Sequence, residues 1–385
     1  MKIDRSRKRL ILAGAMIASV VLFTWRLLQS ERCLLDAATI RYPLNGKSFV
    51  AWLSHSDAIV LESEQPDSNG APSVRHPYIV DIRTGKETLL ADLDALWRGE
   101  RLQMTYMSGG PCSPSSAGAS LLLRCYFRPR IIKPGTHSYP VGYSRYYVLD
   151  VRTRAVKRLP IDSKPQLAFW RPSSDSVLTI QIRQPEHDDP PDKTEHILRH
   201  YPNITSHNHS TLIPWSVRDE REIPLGYAGD GRFMTAANHG PMEAVSFGGD
   251  TARKYAKEFA ISGYAVDSEL REVTRHIVRY PKGFWLQYPI LSSATNRILW
   301  FGYRERPADT PSWLQQVRDK LAVLTPGANE SRLFLWVSAL DGTSMREIGF
   351  VPDSNDKGLF EPSWLPDGRN ISFSCRGTQY IVPVP

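Results

Sequence analysis

The chain has 385 residues, 41% hydrophobic and 23% charged, proportions that exclude a disordered chain as the starting assumption. Its formal charge is +8, but residues 1–36 carry +4 of that and the other 349 only +4, too dilute for the clustered cations of a nucleic-acid surface. Its 39 aromatic residues and 54 prolines and glycines favour short aromatic strands separated by many turns, hence an all-β protein.

Residues 1–9 read as a basic cytoplasmic tail, with Lys2, Arg5, Arg7, Lys8 and Arg9. Residues 10–28 read as a transmembrane signal anchor. As a helix they span about 28 Å, close to a hydrocarbon core of about 30 Å. Ten of them are Leu, Ile, Val or Phe. Trp25 is placed as an interfacial anchor, and Arg26 is near enough to the boundary to reach the headgroups. The run is long for a cleaved signal peptide, and no small-x-small site follows it. The positive flank predicts a single-pass chain with its N-terminus in the cytoplasm and its bulk outside, periplasmic or extracellular. Residues 29–36 are a linker. Cys33 is no lipoprotein site, because Ser30-Glu31-Arg32 precedes it.

From residue 37 onward two patterns alternate. The first is a turn followed by a short apolar strand. It occurs at residues 52–61, 112–123, 170–178, 230–234, 289–300 and 361–373, the last holding Trp364-Leu365-Pro366-Asp367-Gly368-Arg369. Ile59, Leu121, Val177, Met234, Ile298 and Ile371 take the same position in the six copies, at steps of 62, 56, 57, 64 and 73 residues. The second pattern is an aromatic-apolar strand, an Asp, a turn and a charged strand. Tyr78 to Asp81, Tyr147 to Asp150 and Tyr264 to Asp267 are clear copies; residues 335–342 and 213–220 are weaker ones.

Each unit therefore reads as four antiparallel strands, one propeller blade. The sixth unit ends on its third strand at residues 380–385. An unassigned strand at 37–42 is free to supply its fourth and close the ring, leaving no open edge there. The predicted fold is a six-bladed β-propeller over residues 37–385, preceded by one transmembrane helix.

The Trp364 to Arg369 copy resembles the WD40-like repeat of TolB-like propellers, found also in prolyl oligopeptidases and some extracytoplasmic lyases. The resemblance implies the propeller fold. TolB proteins carry an additional N-terminal domain for which this chain has no room, so no partner is carried over.

Connections between second and third strands are predicted to be long, at residues 126–145, 183–211, 236–259 and 304–332, all on one face. Such loops on a rigid scaffold are where binding residues collect. The third-blade insertion gathers His187, Asp189, His196, His200, His207 and His209. Its first reading is a solvated polar loop, with no metal or other cofactor; the rival is a divalent-metal site. His196 and His200 are spaced to share a helix face. In the fifth-blade insertion Thr310 and Pro311 open a predicted helix that carries Trp313, Leu314 and Val317. This helix either packs on the propeller or presents those three residues to a partner. Cys112 and Cys125 are expected either as a disulfide or as two thiols.

No catalytic signature appears: no Gly-x-Ser-x-Gly, no His-Glu-x-x-His and no phosphate-cradling loop. The function expected is a scaffold binding a protein or cell-envelope component, without nucleic acid. The alternative is an extracytoplasmic lyase or hydrolase using the insertion face.

Overall fold

The computed structural model describes residues 32–62, 76–99, 102–109, 120–129, 143–161, 167–171, 176–183, 195–202, 210–215, 222–245, 253–287, 289–304, 332–352 and 362–385. They form six separate antiparallel sheets, one per blade.

A strand β1 (Ile40–Pro43) comes first. Blade 1 is β2 (Ser48–Trp52), β3 (Asp57–Leu61), β4 (Pro77–Asp81) and β5 (Lys86–Leu89). Helix α1 (Ala91–Gly99) leads to blade 2, made of β6 (Leu102–Gly109), β7 (Ser120–Pro129), β8 (Tyr143–Asp150) and β9 (Val156–Arg158). Blade 3 is β10 (Leu167–Trp170), β11 (Val177–Arg183), β12 (Glu195–Tyr201) and β13 (Thr211–Ile213). Blade 4 is β14 (Ile223–Tyr227), β15 (Phe233–Val245), β16 (Arg253–Val266) and β17 (Leu270–Arg279). Blade 5 has an inner strand in two pieces, β18 (Phe284–Leu286) and β19 (Ile290–Ser292), both paired to β20 (Arg297–Arg304), then β21 (Arg332–Ala339) and β22 (Arg346–Pro352). Blade 6 is β23 (Ser363–Trp364), β24 (Asn370–Cys375) and β25 (Thr378–Pro383), with β1 as its outer strand.

The ring is held by burial between blades. The described residues form six apolar clusters, one between each pair of neighbours, including blade 6 against blade 1. A single twisted sheet has two apolar faces and no way to cover both, so each blade depends on two others. The six repeat positions all fall in second strands and are all buried: Ile59, Val177, Ile298 and Ile371 are fully inaccessible, Met234 and Leu121 nearly so.

The recurrent Asp residues fix the turns. Oδ1 of Asp81, Asp150 and Asp367 each accepts backbone N–H groups two and three residues on. Asp341 and Asp230 each accept the N–H two residues on. Those bonds favour the ionised form. The carboxyls of Asp81 and Asp150 sit below the usual range chiefly through backbone donors, those of Asp341 and Asp230 chiefly through the side chains of Thr343 and Arg232.

At the closing seam β1 pairs with β25 from Ile40↔Ile381 to Pro43↔Thr378. Just before it, the chain lies along blade 5: Leu34 N donates to Phe350 O, and Phe350 N to Arg32 O, both at 2.9 Å. Leu34 is fully buried. Gly349, at φ +141°, makes this approach possible, since a Cβ there would stand 2.3 Å from Arg32 O. Across the seam Trp52 Nε1 donates to the buried Ser372 Oγ at 2.6 Å.

Two expectations are corrected. Residues 183–211 are not one insertion: β12 lies within them and is the third strand of blade 3, so residues 213–220 are not that strand. His196 and His200 therefore belong to a strand and not a helix. Nor are residues 236–259 a connection; most of them belong to β15 and β16. Gly240-Pro241, which reads as a breaker, is accommodated by a register shift between His239 and Met242, with Gly240 at φ +82°. Residues 1–31, with the predicted anchor, lie outside the described residues, among which no helix is long and apolar enough to cross a membrane.

Candidate functional site

Strand alternation puts the connections between second and third strands, and those between blades, on one face of the ring. Among the described residues, blade 4 has the longest strands there. Its inner strand has 5 residues and its second and third strands 13 and 14. Pairs from Met242↔Ala256 to Val245↔Arg253 lie beyond the ends of both flanking strands. The hairpin thus projects from the ring on this face.

A polar network occupies the same face over blade 1. Glu62 follows β3 and His76 precedes β4, so pairing of the two strands sets them side by side. Glu62 N donates to His76 O at 3.1 Å, and His76 N to Glu62 Oε2 at 3.3 Å. Tyr78 donates its hydroxyl to Glu62 Oε1 at 3.0 Å. Helix α1 is anchored by Leu93, fully buried between blades 1 and 2. The next residue, Asp94, is 4% exposed, and its Oδ1 lies 2.7 Å from His76 Nδ1. The carboxylate selects the tautomer with the proton on Nδ1 and leaves Nε2 as the basic nitrogen. With about a third of the imidazole side chain exposed (31%), the pair is an oriented acid–base group.

The network continues to the seam. Glu87 takes an ion pair from Lys47 and a hydrogen bond from the Tyr42 hydroxyl at 3.1 Å, and Lys47 Nζ stands 5.2 Å from the centre of the Tyr78 ring. Burial, then the Glu87 carboxylate, pushes the Tyr42 phenol up to about 12. Tyr78 is raised for the same kinds of reason, burial first and then Glu62. At blade 4 the buried Glu222 accepts from Thr235 Oγ1 and, at 2.7 Å, from the Tyr264 hydroxyl.

Of the predicted metal ligands, His187, Asp189, His207 and His209 lie outside the described residues, and His196 is placed only as a position in β12. His200 is half-buried opposite Leu178, near the other face, and its Nε2 makes no hydrogen bond among the described residues. Burial lowers its pKa, and the Arg171 cation lowers it further. Among the described residues no group of three or more His, Cys, Asp or Glu side chains is arranged to hold a metal ion. Trp313, Leu314 and Val317 lie outside the described residues, as does Cys112. Cys125 is fully buried against blade 1. His76 and Asp94 were not legible in the sequence: 18 residues and two strands separate them. The one local signal was an acid directly after a core leucine.

No protein-family model matches the sequence, and no curated protein matches it. Solved structures do. The tricorn protease is 9% identical with a TM-score of 0.44, covering 88% of this chain and 31% of that one, so the chain spans about a third of its length. An oligogalacturonate lyase from Vibrio parahaemolyticus is 14% identical with a TM-score of 0.42, covering 91% and 92%. The acylaminoacyl peptidase of Pyrococcus horikoshii is 11% identical with a TM-score of 0.42, covering 89% of this chain and 44% of that one. The blade count rests on the sheet order itself.

Proposed function

We propose that this chain is a membrane-tethered propeller of TolB-like repeats that binds a protein or cell-envelope component outside the cytoplasm. The observation that carries the reading is the blade 4 hairpin. It raises paired backbone well beyond the ring, on the face where the second-to-third connections gather, and nothing in a ring of six blades requires it. The apolar run at residues 10–28 behind five basic residues supports the tether. The test is to replace residues 240–257 with an Asn-Gly turn and to compare crosslinked partners in native membranes. The reading expects a partner lost with the hairpin while the melting temperature holds. An unchanged partner set contradicts it.

The His76–Asp94 pair favours a second reading, an extracytoplasmic lyase or hydrolase in which His76 Nε2 moves a proton. Substrate screens with polysaccharides and peptides separate the two. Activity abolished by both His76→Gln and Asp94→Asn supports the enzyme; activity indifferent to both removes it.

A further inference from the structure

Strand β17 is the outer strand of blade 4, and among the described residues no strand pairs with its outer side. At ten residues it is the longest outer strand in the ring; the others run from three to seven. It is not blunted by shortness or proline, nor by a covering segment among the described residues, the usual protections of an edge.

Exposure alternates along it, but a β-bulge at Val273, between the pairs Gly263↔Thr274 and Tyr264↔Glu272, puts Arg271 on the opposite face from Arg275, Ile277 and Arg279. Arg271, Val273, Arg275, Ile277 and Arg279 are exposed, and the residues between them are less so. Val273 and Ile277 are 42% and 43% exposed, two of the four large hydrophobic residues so exposed among the described residues. Ile277 stays uncovered because β16 offers small neighbours along this face: Ala260 lies opposite Ile277, and Ser262 opposite Arg275; Val273 is the bulged residue and has no partner in β16. Little negative charge answers the arginines. Arg279 reaches Glu258 at 2.9 Å, and Arg275 approaches Glu272 only at 3.9 Å. Both are surface pairs of small energy.

From this geometry we infer that β17 is a docking edge for an extended acidic segment of a partner protein, added as a fifth strand to blade 4. Backbone hydrogen bonds to the open edge supply the attachment. Selectivity comes from the exposed face. Successive same-face positions lie about 6.8 Å apart on paired strands, so the segment that fits carries carboxylates opposite Arg275 and Arg279 and a β-branched residue opposite Ile277. A second copy of β17 fits worse, because it would bring Arg275 and Arg279 of both copies, four arginines, onto one face. The edge is separate from the projecting hairpin, so failure at one site does not remove the other.

The test uses the full chain and the labelled peptide Glu-Thr-Val-Thr-Glu-Thr-Val-Thr-Glu, whose pattern reads alike in either direction. Fluorescence anisotropy should show binding that weakens with salt. Arg275→Glu should weaken it about tenfold, or about 1.4 kcal/mol, and a peptide with Lys at the central Glu should recover binding to that variant. Methylating alternate peptide nitrogens should abolish binding, since it removes the ladder donors and keeps the charge. Three results would overturn the assignment: no binding of the parent peptide; equal binding of peptides methylated in either alternation; or dissociation of a pre-existing dimer by Arg275→Glu. Displacement of the peptide by anionic vesicles but not by a second acidic peptide would likewise overturn it, in favour of a lipid surface.

Discussion

Blade 6 and blade 4 end differently at the rim. The last strand of blade 6, β1, comes from the far end of the chain, and the residues before it also cover blade 5 through Leu34 and Phe350. Blade 4 builds all four of its strands from consecutive sequence and finishes on a ten-residue edge with which no other strand pairs among the described residues. One rim holds the ring closed; the other is the edge inferred to take a partner. The difference teaches that an outer edge in this fold is not inert: its exposure depends on whether another stretch of chain returns to it.

Mutations at the two rims should therefore separate sharply. Leu34→Ala removes a fully buried side chain from the cluster between blades 5 and 6 and is expected to destabilise by about 2–5 kcal/mol in chemical denaturation. Trp52→Phe keeps most of the ring volume but loses the bond to Ser372 across the seam; a loss of about 1–2 kcal/mol is expected in the same assay. At the open rim, Val273→Ala should change stability by no more than about 0.5 kcal/mol. A Val273 effect as large as that of Leu34 would mean that the blade 4 edge is packed.

The seam also carries a pH signature, smaller than the core effects. Tyr42 keeps its proton in the folded chain up to about 12, whereas an unfolded tyrosine titrates at about 10. Between those values the unfolded state binds fewer protons, so stability falls as pH rises. The Tyr42 contribution is fully present below about pH 10. Denaturation midpoints of the wild type should drop more steeply across this window than those of Tyr42→Phe. Parallel pH curves would show that the phenol plays no part.

Much of the ring was readable because closure needs a repeated apolar position, and the six residues from Ile59 to Ile371 occupy it. The misreadings have physical causes. In β12, Glu195-His196-Ile197-Leu198-Arg199-His200-Tyr201 is too polar to signal a strand by itself, and tertiary pairing with β11 decides it. In β15, Gly240-Pro241 reads as a loop, and a local register shift absorbs both residues inside the strand. The His76–Asp94 pair and the Arg–aliphatic stripe were missed for different reasons. The pair exists only once two strands and a helix have docked. The stripe is written at period two in residues 275–279, but it becomes a surface only when β17 proves to be the last strand of its sheet.

Amide hydrogen exchange on the full chain measures the contrast between the rims in a single experiment. In the free protein, Ile40–Pro43 and Thr378–Pro383 should exchange slowly, while the outward amides of Leu270–Arg279 exchange fast and slow down only when the acidic peptide is added. Exchange at Ile40–Pro43 as fast as at those outward amides, in a chain that is otherwise folded, would contradict a ring sealed by its N-terminal strand.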